Sequence, residues 1–252
     1  MTAIVDTLLW PAVALVAGAF ALAPLGLEVL RRGIVFIDLA IAQAAAVAML
    51  VVQTLLHQDA SPVLTAFAGL AGAGVTVIAV HVVVSPLATG KEAAVGLLYV
   101  IAAGLGLVVA HFDVHGASHF AQLLSGDVLW ASREQAIILS LLALAVGGLT
   151  WAGRLGVTLV FYLAVTGVIV PAVMVLGLLP VFALLIGPAA WRGVEHGPLA
   201  AGVAAAGLAI AGLGLSAWAD TPSGPTIAVT VAAVSLILRA RTLRRMRAPG
   251  HL

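Results

Sequence analysis

The chain has 252 residues, 63% of them hydrophobic and 8% charged, with a formal net charge of +1 and no cysteine. So little charge, against about 25% in soluble domains, and repeated long apolar stretches exclude a soluble core and predict a polytopic membrane protein. The near-zero net charge argues against nucleic acid as a partner, and the lack of cysteine removes disulfides, thiolate zinc sites and cysteine nucleophiles together.

Met1 to Asp6 carries no basic n-region and no small-residue cleavage site follows. The first apolar run, Leu8 to Leu27, therefore reads as a retained span, with Pro11 and Pro24 near its ends, where membrane helices tolerate proline. Arg31 and Arg32 mark a cytoplasmic turn. The run from Ile34 to Leu56 then covers the ~30 Å hydrocarbon core at ~1.5 Å per helical residue and holds Asp38 only ~9 Å in from Arg32. A carboxylate at such a depth costs roughly 2.5–3.5 kcal/mol on insertion scales, so it should face protein or water and not lipid. Ala40, Ala42, Ala44, Ala45, Ala46 and Ala48 surround it, and small residues let neighbouring helices approach closely. The second span belongs inside a bundle.

A polar break at His57-Gln58-Asp59 leads to a third span, Val63 to Val84, with His81 near its inner end. That imidazole either is hydrogen-bonded within the bundle or at the interface, or contributes to the pathway. Lys91-Glu92 precedes a fourth span, Ala93 to Ala110, and the longest polar segment follows on the outer side. In it His111, His115 and His119 recur every four residues with Asp113 among them. On one helix face they would capture a divalent cation at the outer mouth; Gly116 interrupts such a helix, and the other reading is a solvated polar loop. A fifth span ends at the polar stretch Trp151 to Gly156. As one straight helix Leu155 to Ala190 would reach ~54 Å, so it is two passes, broken by Pro171, Gly177 and Pro180. An eighth span, Leu199 to Trp218, and a short ninth, Thr226 to Leu238, complete the set. The ninth ends in Arg239, Arg241, Arg244, Arg245 and Arg247, whose stems can snorkel to the interface.

The sequence thus predicts an all-α fold, a single transmembrane domain over residues 1–252 with about nine spans, or eight if the first run lies on the surface. The positive-inside rule puts Arg31, Arg32, Lys91, Arg154, Arg192 and the arginine tail on the cytoplasmic side, so the N-terminus is outside and the C-terminus inside. No glycine-rich phosphate loop, H-E-x-x-H or G-x-S-x-G is present, so nothing in the chain itself binds nucleotide or hydrolyses a bond.

Four blocks stand out in order. The first is Arg31-Arg32 followed by Asp38. The second is Glu92 and Gly96 leading to Leu124, Gly126, Asp127 and Leu129. The third comprises Gly177, Val181, Ala183, Leu184, Leu185, Pro188, Ala189 and Ala190, and the fourth Ser216, Asp220, Pro222, Gly224, Pro225 and Thr226. Each is weak alone, but the ordered set resembles the integral-membrane permeases of bacterial ABC transporters for zinc, manganese and chelated iron. The resemblance implies a multi-pass protein of the bacterial inner membrane and a non-enzymatic pathway subunit that pairs with a second copy of itself. It also implies a cytoplasmic ATP-binding subunit that hydrolyses ATP, an external binding protein that delivers a divalent metal ion as substrate, and no resident cofactor. Membrane lipid is the surrounding partner.

Asp38, Gln43 and His81 are the candidates for lining the pathway; Asp38, His111, His115 and His119 are the candidate metal ligands. Arg154 and Gly156 stand where the resemblance places the ATPase contact. Two departures follow from the residues themselves. Ala42 stands one turn after Asp38, where many members carry His or Cys, and Gln43 lies ~140° round the helix from Asp38, so it does not take that place. The segment Trp151 to Gly156 is also shorter than the family's coupling segment. Asp38 has two readings, a pathway oxygen ligand or a structural ion-pair partner, either of Arg31, seven residues back and nearly on the same face, or of an arginine on a neighbouring helix. A stand-alone secondary carrier or channel is the alternative function, although such carriers usually show internal repeats and several intramembrane ionisable groups.

Overall fold

The computed structural model describes residues 2–56, 60–112, 126, 128–192 and 197–247. Among them it contains nine α-helices and no strand. They are α1 (Thr2–Arg32), α2 (Ile37–Leu55), α3 (Pro62–Ala79), α4 (Lys91–His111), α5 (Arg133–Trp151), α6 (Thr158–Leu176), α7 (Leu178–Arg192), α8 (Gly197–Ala219) and α9 (Ser223–Arg247). Eight are long and apolar enough to cross a membrane. The exception is α7, whose 15 residues give it a length of only about 22 Å.

The hub is α1, which packs against α5, α6, α7 and α8. Ala14, Leu15, Ala19, Ala21, Leu22, Ala23 and Leu25 along it are completely buried, because alternating alanine and leucine give neighbours both close approach and filled volume. A second group forms around α2, which packs against α3 and α4 and touches α6 and α7. The contact between α2 and α3 is close enough that a Cβ on Gly72 would run into the Ala44 carbonyl and come within 2.8 Å of the Ala48 methyl. By contrast α3, α4 and α5 carry broad apolar surfaces, with Val63, Phe67, Val75, Leu97, Ile101, Leu107 and Leu144 exposed. In a membrane protein such a surface is the one that meets acyl chains.

The breaks between helices are local. Ser61 caps α3 by accepting from Leu64 N–H at 3.2 Å, and Pro62 occupies its first turn. Ser132 and Gln135 form a reciprocal capping box at the start of α5. Between α6 and α7 the chain turns at Gly177, with φ +85°. Pro171 lies inside α6 and Pro180 inside α7, so of the three breakers read from the sequence only the glycine breaks the run. At the last helix the expected short span is instead a helix of 25 residues, because arginine is a good helix former and continues the helix beyond the apolar stretch.

Contacts define two ends of the bundle. Arg32 reaches Leu155 and Gly156, Ser85 meets Tyr162, and Arg239 donates to the Ala190 carbonyl. Arg31, Arg32, Lys91, Arg154 and Arg239 therefore gather at one end. At the other end Gly126 lies against Leu176 and Gly177, and Val128 N–H donates to Ser223 Oγ at 3.1 Å. Arg133 sits there over the Trp10 ring, 5.5 Å from its centroid.

Candidate functional site

Asp38 occupies the first turn of α2 and is 1% exposed. Among the described residues neither carboxylate oxygen has a hydrogen-bond partner. Asp38 stands at the helix's open first turn, where backbone N–H groups lack intrahelical acceptors. The ion pair with Arg31 does not form. Arg31 instead approaches Glu28 at 3.4 Å, and Arg32 Nε donates to the other Glu28 oxygen at 3.0 Å. Spacings of three and four residues on one helix face bring these groups together at the end of α1.

Gln43 is also buried, 2% exposed, and its Oε1 lacks a partner. His81 lies apart from both, in a π-helical turn (Val80–Val84) that continues α3. Its ring stands edge-on to Tyr162, with centroids 6.3 Å apart, and it lines a cavity of about 430 Å³ together with Arg32, Ile34, Lys91, Thr158 and Tyr162. Asp38 and Gln43 are not on that cavity's wall. His111 ends α4 as an exposed residue stacked edge-on against Phe112. His115, His119, Asp113, Leu124 and Asp127 lie outside the described residues. Among the described residues no group of three His, Cys, Asp or Glu side chains stands close enough to hold a metal ion.

Arg154 and Gly156 form an exposed 3-10 turn between α5 and α6 (Arg154–Gly156). Arg32 ties this turn to the bundle. Its Nη2 donates to the Leu155 carbonyl at 3.3 Å and the Gly156 carbonyl at 2.9 Å, and its guanidinium lies over the Phe161 ring, 4.3 Å from the centroid. A planar guanidinium makes such a set of contacts at once; an ammonium does not. One side chain thus joins the end of α1, five residues before α2 begins at Ile37, to the exposed turn.

Among solved structures the chain is similar to PsaBC from Streptococcus pneumoniae in complex with Fab, with a TM-score of 0.70 over 96% of this chain and 94% of that one. The two share a fold. Sequence identity is 18%, so the likeness is carried by helix order and packing. No protein-family model matches the chain, and no curated protein matches it.

Two of the blocks singled out in the sequence have structural work at the end away from the arginines. Gly126, with φ +60°, packs so tightly on Leu176 and Gly177 that a Cβ would strike backbone. In the stretch Ser216–Thr226 the chain turns at Asp220, with φ +49°, a conformation that Asp tolerates better than most residues. Ser216 Oγ donates to the Thr221 carbonyl at 2.5 Å, and the Thr221 and Thr226 hydroxyls are 2.8 Å apart. These hydrogen bonds fix the corner between α8 and α9. Sequence reading missed Glu28, Ser85, Phe161 and Tyr162. The Glu28–Arg32 spacing was legible as an i, i+4 pair; the other three become neighbours of Arg32 and His81 only through packing.

Proposed function

We propose that the chain is the membrane-spanning permease subunit of an ATP-driven importer of a divalent metal ion. In this reading two copies enclose the pathway, an external binding protein delivers the ion, and a cytoplasmic ATPase binds at the turn carrying Arg154 and Gly156. The observation that carries it is Asp38, a carboxylate buried in a polytopic bundle with neither a cation nor a hydrogen-bond donor side chain beside it among the described residues. An intramembrane acid is costly to insert and marks an ion or substrate path by default. A carboxylate is also a ligand for hard and intermediate divalent cations. The ordered sequence blocks and the fold shared with PsaBC support the same reading.

With Ala42 in place of a nitrogen or sulfur ligand, Asp38 offers oxygen only. Weak, oxygen-based coordination suits passage better than storage, since an ion that is to leave must not be held by a full ligand set. Arg32 supplies a mechanical link between the docking turn and the segment leading into the Asp38 helix.

Purification of the tagged chain from its native membrane tests the assignment. A second copy and an ATP-hydrolysing subunit are expected to co-purify in stoichiometric amounts. A chain that comes out alone and moves metal down a proton gradient would be a secondary carrier instead.

A further inference from the structure

The cavity at the arginine end has a wall chemistry that the metal pathway does not use. Among the described residues that line it two are cations, Arg32 and Lys91, and none is a carboxylate. Glu28, the acid next to Arg32, has both oxygens engaged by Arg31 and Arg32, and Glu92 is exposed and off the wall. The same wall carries the hydroxyls of Thr158 and Tyr162 and the His81 ring, groups that can donate to an acceptor oxygen, while the Ser85 hydroxyl gives its hydrogen to the Val80 carbonyl. Ser85 Oγ and Tyr162 Oη are 3.4 Å apart, so they point polar groups into one place.

Local backbone shapes the wall. The π-helical turn Val80–Val84 brings Val80, His81 and Val84 onto it, and Ser85 N–H and Oγ both close back on the Val80 carbonyl at 2.8 and 3.2 Å. Single π turns inside α-helices recur at functional sites. A divalent cation would be repelled from a space between Arg32 and Lys91; a phosphate would be drawn in and find donors on several sides. At about 430 Å³ the cavity exceeds the ~30 Å³ share of one water by more than tenfold.

We propose that this cavity is a phosphate-binding site that seats the headgroup of an anionic phospholipid between α1, α3, α4 and α6. Its place at the basic end of membrane-crossing helices is where lipid phosphates lie, and basic pockets between helices at that level are a recurrent form of anionic-lipid recognition. The site does not depend on the permease reading, since it needs only the bundle and its basic end.

The test is thermal unfolding of the full chain in neutral detergent, titrated with phosphatidylglycerol, phosphatidylcholine or inorganic phosphate. Phosphatidylglycerol is expected to raise Tm saturably and phosphatidylcholine to leave it unchanged. Lys91→Gln should weaken the apparent affinity for phosphatidylglycerol about fivefold, the effect of one interfacial cation, and Arg133→Gln, at the opposite end, should leave it as in wild type. If Lys91→Gln does not purify folded, Thr158→Val, which keeps both cations, takes its place with the same direction expected. Inorganic phosphate that matched the lipid in a Lys91-dependent way would reassign the site to a soluble phosphate and overturn the lipid. Equal responses from wild type and the Lys91 or Thr158 variant would overturn the site altogether.

Discussion

Asp38 is buried with no cation beside it among the described residues, so its replacement has a predicted sign. Asp38→Asn removes a charge that costs roughly 2.5–3.5 kcal/mol to hold in a bilayer and breaks no ion pair. The variant's Tm should equal or exceed that of wild type, while metal uptake falls at least tenfold. Lower Tm together with lower uptake would mean that the carboxylate has a structural cation partner after all. Arg32 is the opposite case. Arg32→Lys cannot keep two carbonyl contacts, the Glu28 pair and the Phe161 face together, and a loss of about 1–3 kcal/mol is expected in unfolding measurements. Arg31→Lys, at a side chain 51% exposed, should stay within about 0.5 kcal/mol of wild type. Asp38 was legible in the sequence because an acid in an apolar run is conspicuous. Its isolation was not, because a partner for it could come from any neighbouring helix and only the packing says that none does. Arg32 was conspicuous for its charge, yet its two carbonyl acceptors lie 123 and 124 residues away, beyond any pattern a sequence can show.

The helices themselves were largely readable, since apolar runs bounded by polar residues set where each begins and ends to within a few residues. The exceptions have physical causes. Arg31 and Arg32 belong to the last turn of α1, and the turn comes one residue later at Gly33, with φ +64°. Cations are favoured at a helix C-terminus, so they extend α1 and do not end it. The alanines of α2 predicted close approach, and Gly72 on α3 supplies the other half of that contact. Gly72→Ala pushes a methyl into the Ala44 carbonyl and should cost about 1–3 kcal/mol by overpacking. Gly74→Ala, two residues on, meets open space and should be neutral or stabilising by up to ~1 kcal/mol, because alanine is the better helix former. Thermal unfolding of the two variants side by side checks the α2–α3 interface; equal Tm values would mean that the two helices do not pack as described.

At the scale of the whole molecule, the arginines and Lys91 at one end and Arg133 at the other make a sided protein. On the positive-inside rule we propose that the arginine end faces the cytoplasm. Because the chain has no cysteine of its own, single cysteines report cleanly. Phe112→Cys, exposed after α4, is expected to react with an impermeant maleimide added to intact cells, and Ala152→Cys, exposed between α5 and α6, only after lysis. The reverse pattern would invert the orientation and with it the proposed ATPase face.

The fold class and eight of the nine expected spans followed from hydropathy, the second pass of the run Leu155 to Ala190 being a helix too short to cross, whereas the separation of the buried acid from the basic cavity is a product of packing and appeared only in three dimensions. The permease account rests on the buried acid and on the exposed turn tied by Arg32 acting with a separate motor. Its most direct test is divalent-metal uptake into vesicles reconstituted with the complex purified from native membranes, measured with and without ATP and compared with vesicles holding this chain alone. The account predicts uptake only when the partner ATPase and ATP are both present, with Asp38→Asn abolishing most of it. Metal entry of equal rate through the chain alone, driven by a pH gradient and indifferent to ATP, would contradict it.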